Sequence, residues 1–154
     1  MPNAKCMEKP LKNEEDEYKW SKEMVEAIKT RNFAAIDMDA LLDEMESIVS
    51  RLERSLEYTV SEILEALLWE KYTNATKEEI DDLLIPAQLL LVSMLDSTPS
   101  LRDLLPKIMN EAYRRASELV NDSDVVTLPD ECPFPMELVT KHPYDRLVAE
   151  GRFA

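Results

Sequence analysis

Residues 40–72, ALLDEMESIVSRLERSLEYTVSEILEALLWEKY, decide the fold of this chain. Apolar residues recur there at steps of three or four, the spacing that puts side chains on one face of an α-helix. The main stripe, with the residues that widen it, is Leu41, Met45, Ile48, Leu52, Leu56, Val60, Ile63 and Leu67, with Leu42, Val49 and Leu64. At a rise of about 1.5 Å per residue, the pattern predicts an amphipathic helix about 50 Å long.

Glycine is almost absent from the rest of the chain. Gly151 is the only glycine in 154 residues, and no proline lies between Leu11 and Ile85. Phosphate-binding loops, dinucleotide-binding turns and nucleophile elbows need glycine where the backbone turns sharply or approaches a ligand. Those devices are therefore excluded from the first 150 residues.

Three further helices are predicted, one before the long helix in the sequence and two after it. Trp20, Met24 and Ile28, with Val25 beside them, predict a first helix over residues 15–31, and Asp37 or Asp39 can cap the second.

Thr76-Lys77-Glu78-Glu79 has the form of a capping box and opens the third helix. Its predicted buried side is Ile80, Leu83, Leu84, Ala87 and Leu91, and Pro86 is expected to kink it. Because residues 89–92 (LLLV) are apolar all round, we expect them at the centre of the bundle or at a subunit contact.

Residues 97–100 (STPS) end the third helix and cap the fourth, which is expected to bend at Pro106. The predicted core face of this helix is Leu101, Leu104, Leu105, Ile108, Ala112, Ala116 and Leu119. Four prolines between Pro129 and Pro143 predict an extended segment, followed by a short helix from Pro135.

The predicted fold is all-α: an antiparallel four-helix bundle with one long helix and an extended proline-rich C-terminal segment packed across it. We expect a disordered tail over residues 1–13, a bundle domain over 14–138 and a C-terminal extension over 139–154.

The amino-acid composition limits the kinds of molecule that this protein is expected to bind. The formal charge is −14, with 45% hydrophobic and 32% charged residues, which suits amphipathic helices. An acidic surface repels nucleic acid and anionic lipid and favours basic proteins. No apolar signal segment or membrane span is recognisable, so we expect a cytoplasmic protein with Cys6 and Cys132 unbridged.

Five segments, taken in order, carry a family resemblance. They are residues 16–20 (DEYKW), 31–37 (RNF and ID), 41–46 (LLDEME), 97–101 (STPSL) with 112–116 (AYRRA), and 128–134 (LPDECPF). This order and spacing resemble the bacterial domain-of-unknown-function 29 family, which implies a small all-helical protein and no settled biochemical role.

This chain departs from the family's pattern at one place. Relatives usually carry a histidine near the end of the long helix and then a basic serine-tryptophan stretch. Here residues 66–72 (ALLWEKY) hold no histidine, and residues 77–82 (KEEIDD) are acidic. Any activity that relatives place in this region is in doubt for this chain.

No catalytic or cofactor-binding residues are predicted. A di-iron bundle needs two Glu-x-x-His pairs, but His142 is the only histidine and Val139 lies three residues before it. Acidic and proline neighbours do not favour a Cys132 thiolate, so a Cys132–His142 pair is not expected either.

The acidic residues at the start of the long helix leave one enzymatic function open as an alternative. Asp43, Glu44 and Glu46 are weak candidates for a metal site in a metal-assisted nuclease or hydrolase. Asp43 and Glu46 share a helix face, whereas Glu44 and Glu46 point apart. Structural capping is the interpretation that we favour for this cluster.

The leading hypothesis is a non-enzymatic protein that acts by binding protein, with no cofactor. It would bind a second copy of itself or a basic partner, and an antitoxin-like or escort role would suit its charge. The candidate contact residues are Trp69, Tyr72, Leu89, Leu90 and Val92.

Overall fold

The computed structural model describes residues 16–123 and 126–152, and all of their regular structure is helical. The α-helices are α1 (Glu17–Lys29), α2 (Met38–Tyr72), α3 (Lys77–Ser97), α4 (Leu105–Ser123), α5 (Met136–Val139) and α6 (Pro143–Ala149). Short 3-10 helices span Phe33–Ala35 and Pro99–Leu104. The predicted all-α class is thus confirmed; the predicted tail over residues 1–13 lies outside the described residues.

The chain divides into two compact units, residues 1–50 and 51–154, and α2 contributes residues to both. In the first unit, Asp16 caps α1 by accepting a hydrogen bond from Lys19 N at 2.9 Å. Trp20, Met24 and Ala27 are the buried residues of α1. Ile28, which the sequence places on the apolar face of this helix, is 48% exposed, because the buried side follows steps of four and three and leaves Ile28 on the flank.

Helix α2 begins where the sequence predicts. Asp37 is the cap, since its carboxylate accepts from Ala40 N at 3.0 Å. Only the second half of the predicted stripe is buried, from Leu56 to Leu68. The first half, including Leu42, Met45 and Val49, is exposed. Periodicity identifies an apolar face but does not identify what covers it, so the predicted apolar stripe is buried over only part of its length.

Helix α3 opens with the predicted capping box. Thr76 accepts from Glu79 N, and the Glu79 carboxylate accepts from Thr76 N at 2.8 Å. The helix continues through Pro86 to Ser97. Ile80, Leu84, Ala87 and Leu91 are buried as predicted, but Leu83 is 48% exposed.

Residues 89–92 do not all lie at the centre of the second unit. Leu91 is fully buried, whereas Leu89 and Leu90 are 38% and 49% exposed. One face of an α-helix faces the core, so a run of four apolar residues must leave some of them outside it.

The fourth helix begins later than predicted. Residues 99–104 form the 3-10 turn, and α4 starts at Leu105, so that Pro106 occupies its first turn. Proline is tolerated there because the first-turn N–H groups have no partner within the helix. At its other end Val120 is buried and Leu119 is 45% exposed, which corrects the prediction for Leu119.

The C-terminal residues 126–152 belong to the second unit and pack against its helices. The Tyr113 hydroxyl donates to Pro129 O at 2.6 Å, and Phe134 and Val139 join the core. Pro135 caps α5 rather than opening it, and α6, which the sequence analysis missed, begins at Pro143. The core of this unit is formed mainly by the second half of α2 with α3 and α4.

Candidate functional site

A groove lies between α2 and α3 in the second unit. Two adjoining cavities, of about 480 and 220 Å³, share Glu65 and Leu83 in their walls. We call the combined feature the α2–α3 groove; its lining residues are Glu62, Glu65, Trp69, Asn74, Ala75, Glu79, Ile80, Asp82, Leu83, Pro86, Ala87 and Leu90.

Helical spacing explains how these side chains converge. Glu62, Glu65 and Trp69 are three and four residues apart on α2, so they share one face. Leu83 and Leu90 are two turns apart on α3 and are 48% and 49% exposed. Large apolar side chains therefore stand open to solvent on α3, opposite a row of polar side chains on α2.

Trp69 is fixed within this groove. Its ring is half-buried and packs against the core, and its indole Nε1 donates to Glu65 Oε1 at 3.3 Å. This bond holds the ring beside a carboxylate and satisfies the indole N–H. Trp69 is thus oriented as a wall of the groove with part of its surface free.

The groove is acidic. Four carboxylates, those of Glu62, Glu65, Glu79 and Asp82, line it, and no lysine or arginine does. Burial raises the pKa of Glu62 above its ordinary value, against the opposing effect of a hydrogen bond with Tyr58. The hydrogen bonds with Thr76 lower the pKa of Glu79, since the anion is the capping form.

Only part of the predicted contact set meets here. Trp69 and Leu90 both line the groove. Tyr72 instead packs against the core, with Lys71 Nζ 5.5 Å from its ring centroid. Leu89 and Val92 lie elsewhere on α3, because adjacent helical residues point about 100° apart. The groove carboxylates Glu62 and Asp82 were missed by the sequence analysis, although their acidic character near an apolar run was a usable signal.

The acidic residues at the start of α2 lie in the first unit. Asp43 and Glu46 are exposed, and Glu44 is half-buried. Within residues 16–123 and 126–152, no group of three or more histidine, cysteine, aspartate or glutamate side chains is arranged to hold a metal ion.

Cys132 and His142 have structural contacts. Burial raises the pKa of the Cys132 thiol, whose S–H donates to Phe134 O at 3.6 Å. His142 Nδ1 accepts from Tyr144 N at 3.2 Å and so caps α6.

An ion-pair network around Asp81 was also missed. Asp81 is 7% exposed and pairs with Arg152 and, at 3.9 Å, with Arg146. Arg146 also donates to Glu70 at 3.1 Å and lies 3.2 Å from Glu150. Asp81 shares the face of α3 that carries Leu84, so a carboxylate on a buried face was the signal that could have predicted a cationic partner.

The described residues form an all-α protein with an acidic groove between α2 and α3 that is also lined by exposed leucines. Among those residues no helix is both long and apolar enough to cross a membrane. A family model for the domain of unknown function DUF29 matches residues 13–144. The chain belongs to this family, as the sequence motifs indicated. Comparisons with curated proteins and with solved structures gave no significant match.

Proposed function

We propose that this protein binds a basic amphipathic helix of another protein in the α2–α3 groove and is not an enzyme. The observation that carries the proposal is the composition of the groove: exposed leucines and a tryptophan bordered by four carboxylates, without a basic side chain. Helix-in-groove recognition uses apolar anchors at helical spacing. Carboxylates around the groove would steer a basic helix and fix its orientation.

The charge distribution supports a basic partner. The whole chain carries a formal charge of −14, so its long-range field attracts cations toward any acidic concavity. Partial burial and the charge of Glu65 raise the pKa of Glu62, so a cationic partner would stabilise its ionised form. An inhibitor or escort of a basic protein would use such a surface, and a cytoplasmic location would suit it.

We include the predicted four-helix bundle in this proposal. An antiparallel arrangement of four helices, with the proline-rich segment packed across them, would present the groove on a rigid face.

A synthetic peptide tests the proposal. The probe is a lysine–leucine peptide of about 15 residues with leucines at i, i+3, i+4 and i+7. The protein carries Trp20→Phe, so that Trp69 alone reports binding. We expect a change in Trp69 emission and a Kd that weakens as salt rises, because the attraction is between opposite charges.

Two double variants provide the matched comparison. Glu62→Lys with Asp82→Lys reverses two groove charges, and Glu53→Lys with Asp122→Lys makes the same net change at exposed positions elsewhere. We expect the groove pair to weaken binding by roughly tenfold or more and the control pair by much less. Equal losses would mean nonspecific attraction, and no binding at low salt would overturn the proposal.

A further inference from the structure

The first half of α2 carries an uncovered apolar seam. Met38, Leu42, Met45, Val49 and Leu52 follow one another at alternating steps of four and three, which is the heptad spacing of a coiled coil. Their exposed fractions run from 63% at Met38 to 38% at Leu52. We call these five residues the α2 seam.

We propose that the α2 seam pairs with the α2 seam of a second copy of this chain, in antiparallel orientation. This goes beyond the binding of a basic helix, since it concerns a different face, a different partner and an apolar rather than an acidic surface.

Four of the five seam residues, Leu42, Met45, Val49 and Leu52, are spaced symmetrically about Ser47. Reversing the helix about this residue places Leu42 of one copy opposite Leu52 of the other, and Met45 opposite Val49. Four apolar layers are then each filled by a residue from each copy, as a two-fold symmetric interface requires, and Met38 lies at the end of the seam, level with the buried Leu56. The seam is thus complementary to its own reversed copy.

The buried half of α2 excludes the parallel alternative. The same face continues through Leu56 and Ile63, which are fully buried in the core of the second unit. A parallel partner helix would have to continue along that face, into space that α3 and α4 already fill. An antiparallel partner reaches this point with Met38, where its own helix begins.

The area agrees with a weak, specific dimer. The seam and the neighbouring Ile48 leave on the order of 500 Å² exposed per copy, near the upper end for a single patch on a monomer. Two copies would then bury about 1,000 Å², the lower end for specific interfaces. We therefore expect a dissociation constant in the micromolar range.

Sedimentation across a concentration series tests the pairing. We expect a monomer–dimer equilibrium that shifts toward dimer as salt rises, because screening reduces the repulsion between two strongly acidic chains. Met45→Glu with Val49→Glu is expected to weaken the dimer at least tenfold. Leu119→Glu with Val148→Glu, which adds the same two charges at exposed apolar residues on α4 and α6, is the matched control and leaves the dimer intact. A monomer at all concentrations, or equal loss in the control, would overturn the proposal.

Orientation is tested by cross-linking. In a background with Cys6→Ser and Cys132→Ala, Leu42→Cys and Leu52→Cys are made as two separate proteins. An antiparallel pair forms a disulfide when the two are mixed and little when either is alone. Homodisulfides of each variant alone, without the mixed species, would contradict the antiparallel arrangement.

Glu46 gives a second test of orientation. It lies one residue from the symmetry point, so its two copies are neighbours across an antiparallel seam. Glu46→Gln removes this like-charge pair and is expected to strengthen the dimer severalfold. In a parallel pair the two carboxylates lie on opposite sides, and the substitution would have little effect.

The two proposals can fail separately, because the groove and the seam are different faces. Peptide binding in the groove is expected to weaken as salt rises, whereas the dimer is expected to strengthen.

Discussion

Arg146 connects three elements of the second unit. From α6 its guanidinium reaches Glu70 at the end of α2, Asp81 on α3 and Glu150 just beyond its own helix. Its side chain is 14% exposed and that of Asp81 is 8% exposed, so these two charges are largely removed from water, whereas Glu70 is 41% exposed. Breaking a buried ion pair leaves an uncompensated charge and costs more than an exposed pair is worth.

We expect Arg146→Ala to destabilise the protein by about 2–3 kcal/mol, the scale for breaking a partly buried ion pair. Urea unfolding followed by circular dichroism measures this difference. Arg114→Ala is the matched control, because Arg114 also holds two carboxylates, Glu111 and Glu118, but on an exposed face. The control should cost clearly less, and equal costs would contradict the argument from burial.

The loss of stability caused by Arg146→Ala is expected to depend on pH. The hydrogen bond from Lys77 and the charge of Arg146 hold the pKa of Glu150 below its ordinary value of 4.5. Its contribution to stability is therefore present above pH 4.5 and is lost as the pH falls through the lowered pKa. The deficit of Arg146→Ala in urea unfolding should shrink in acid as Glu150 becomes protonated.

At the scale of a single element, α2 combines two environments. Between Met38 and Ser55 none of its residues is buried, whereas nine are buried between Leu56 and Leu68. Local stability follows the apolar surface buried around a segment, so the two halves of one continuous helix should open with different free energies.

Hydrogen exchange tests this gradient. Amides of residues 40–52 should exchange faster than those of residues 58–70, as measured by mass spectrometry of peptides from each half. If the α2 seam pairs with a second copy, protection of the first half rises with protein concentration. Equal protection of both halves in a dilute monomer would contradict the prediction.

The whole molecule has unequal units. The first unit has three buried apolar residues within its described part, Trp20, Met24 and Ala27, whereas the second has a core cluster of twenty. Hydrophobic stabilisation scales with the apolar area removed from water. We therefore expect the first unit to be the less stable one.

Each unit contains one tryptophan, which allows their stabilities to be compared. With Trp69→Phe the fluorescence reports the surroundings of Trp20, and with Trp20→Phe it reports those of Trp69. We expect the Trp20 signal to change at lower urea than the Trp69 signal. Coincident transitions would show that the two units unfold together as a single cooperative system.

Sequence alone determined the four longest helices, apart from the exact start of α4, because their signals are local. The capping box at Thr76, the cap at Asp37 and the apolar periodicity of α2 each depend on residues within a few positions of one another. The scarcity of glycine likewise excluded whole classes of ligand-binding loop without reference to any contact.

The tertiary structure alone decided which apolar residues are covered and which charges meet. Leu42 and Leu64 are equivalent in the sequence pattern, yet one is 56% exposed and the other fully buried. Glu70 and Arg146 pair across 76 positions of sequence. The same holds for Glu62 and Asp82, which share the groove only because α2 and α3 pack side by side. Burial and ion pairing depend on distances that the fold sets, whereas a local pattern records only the chemistry that each residue brings.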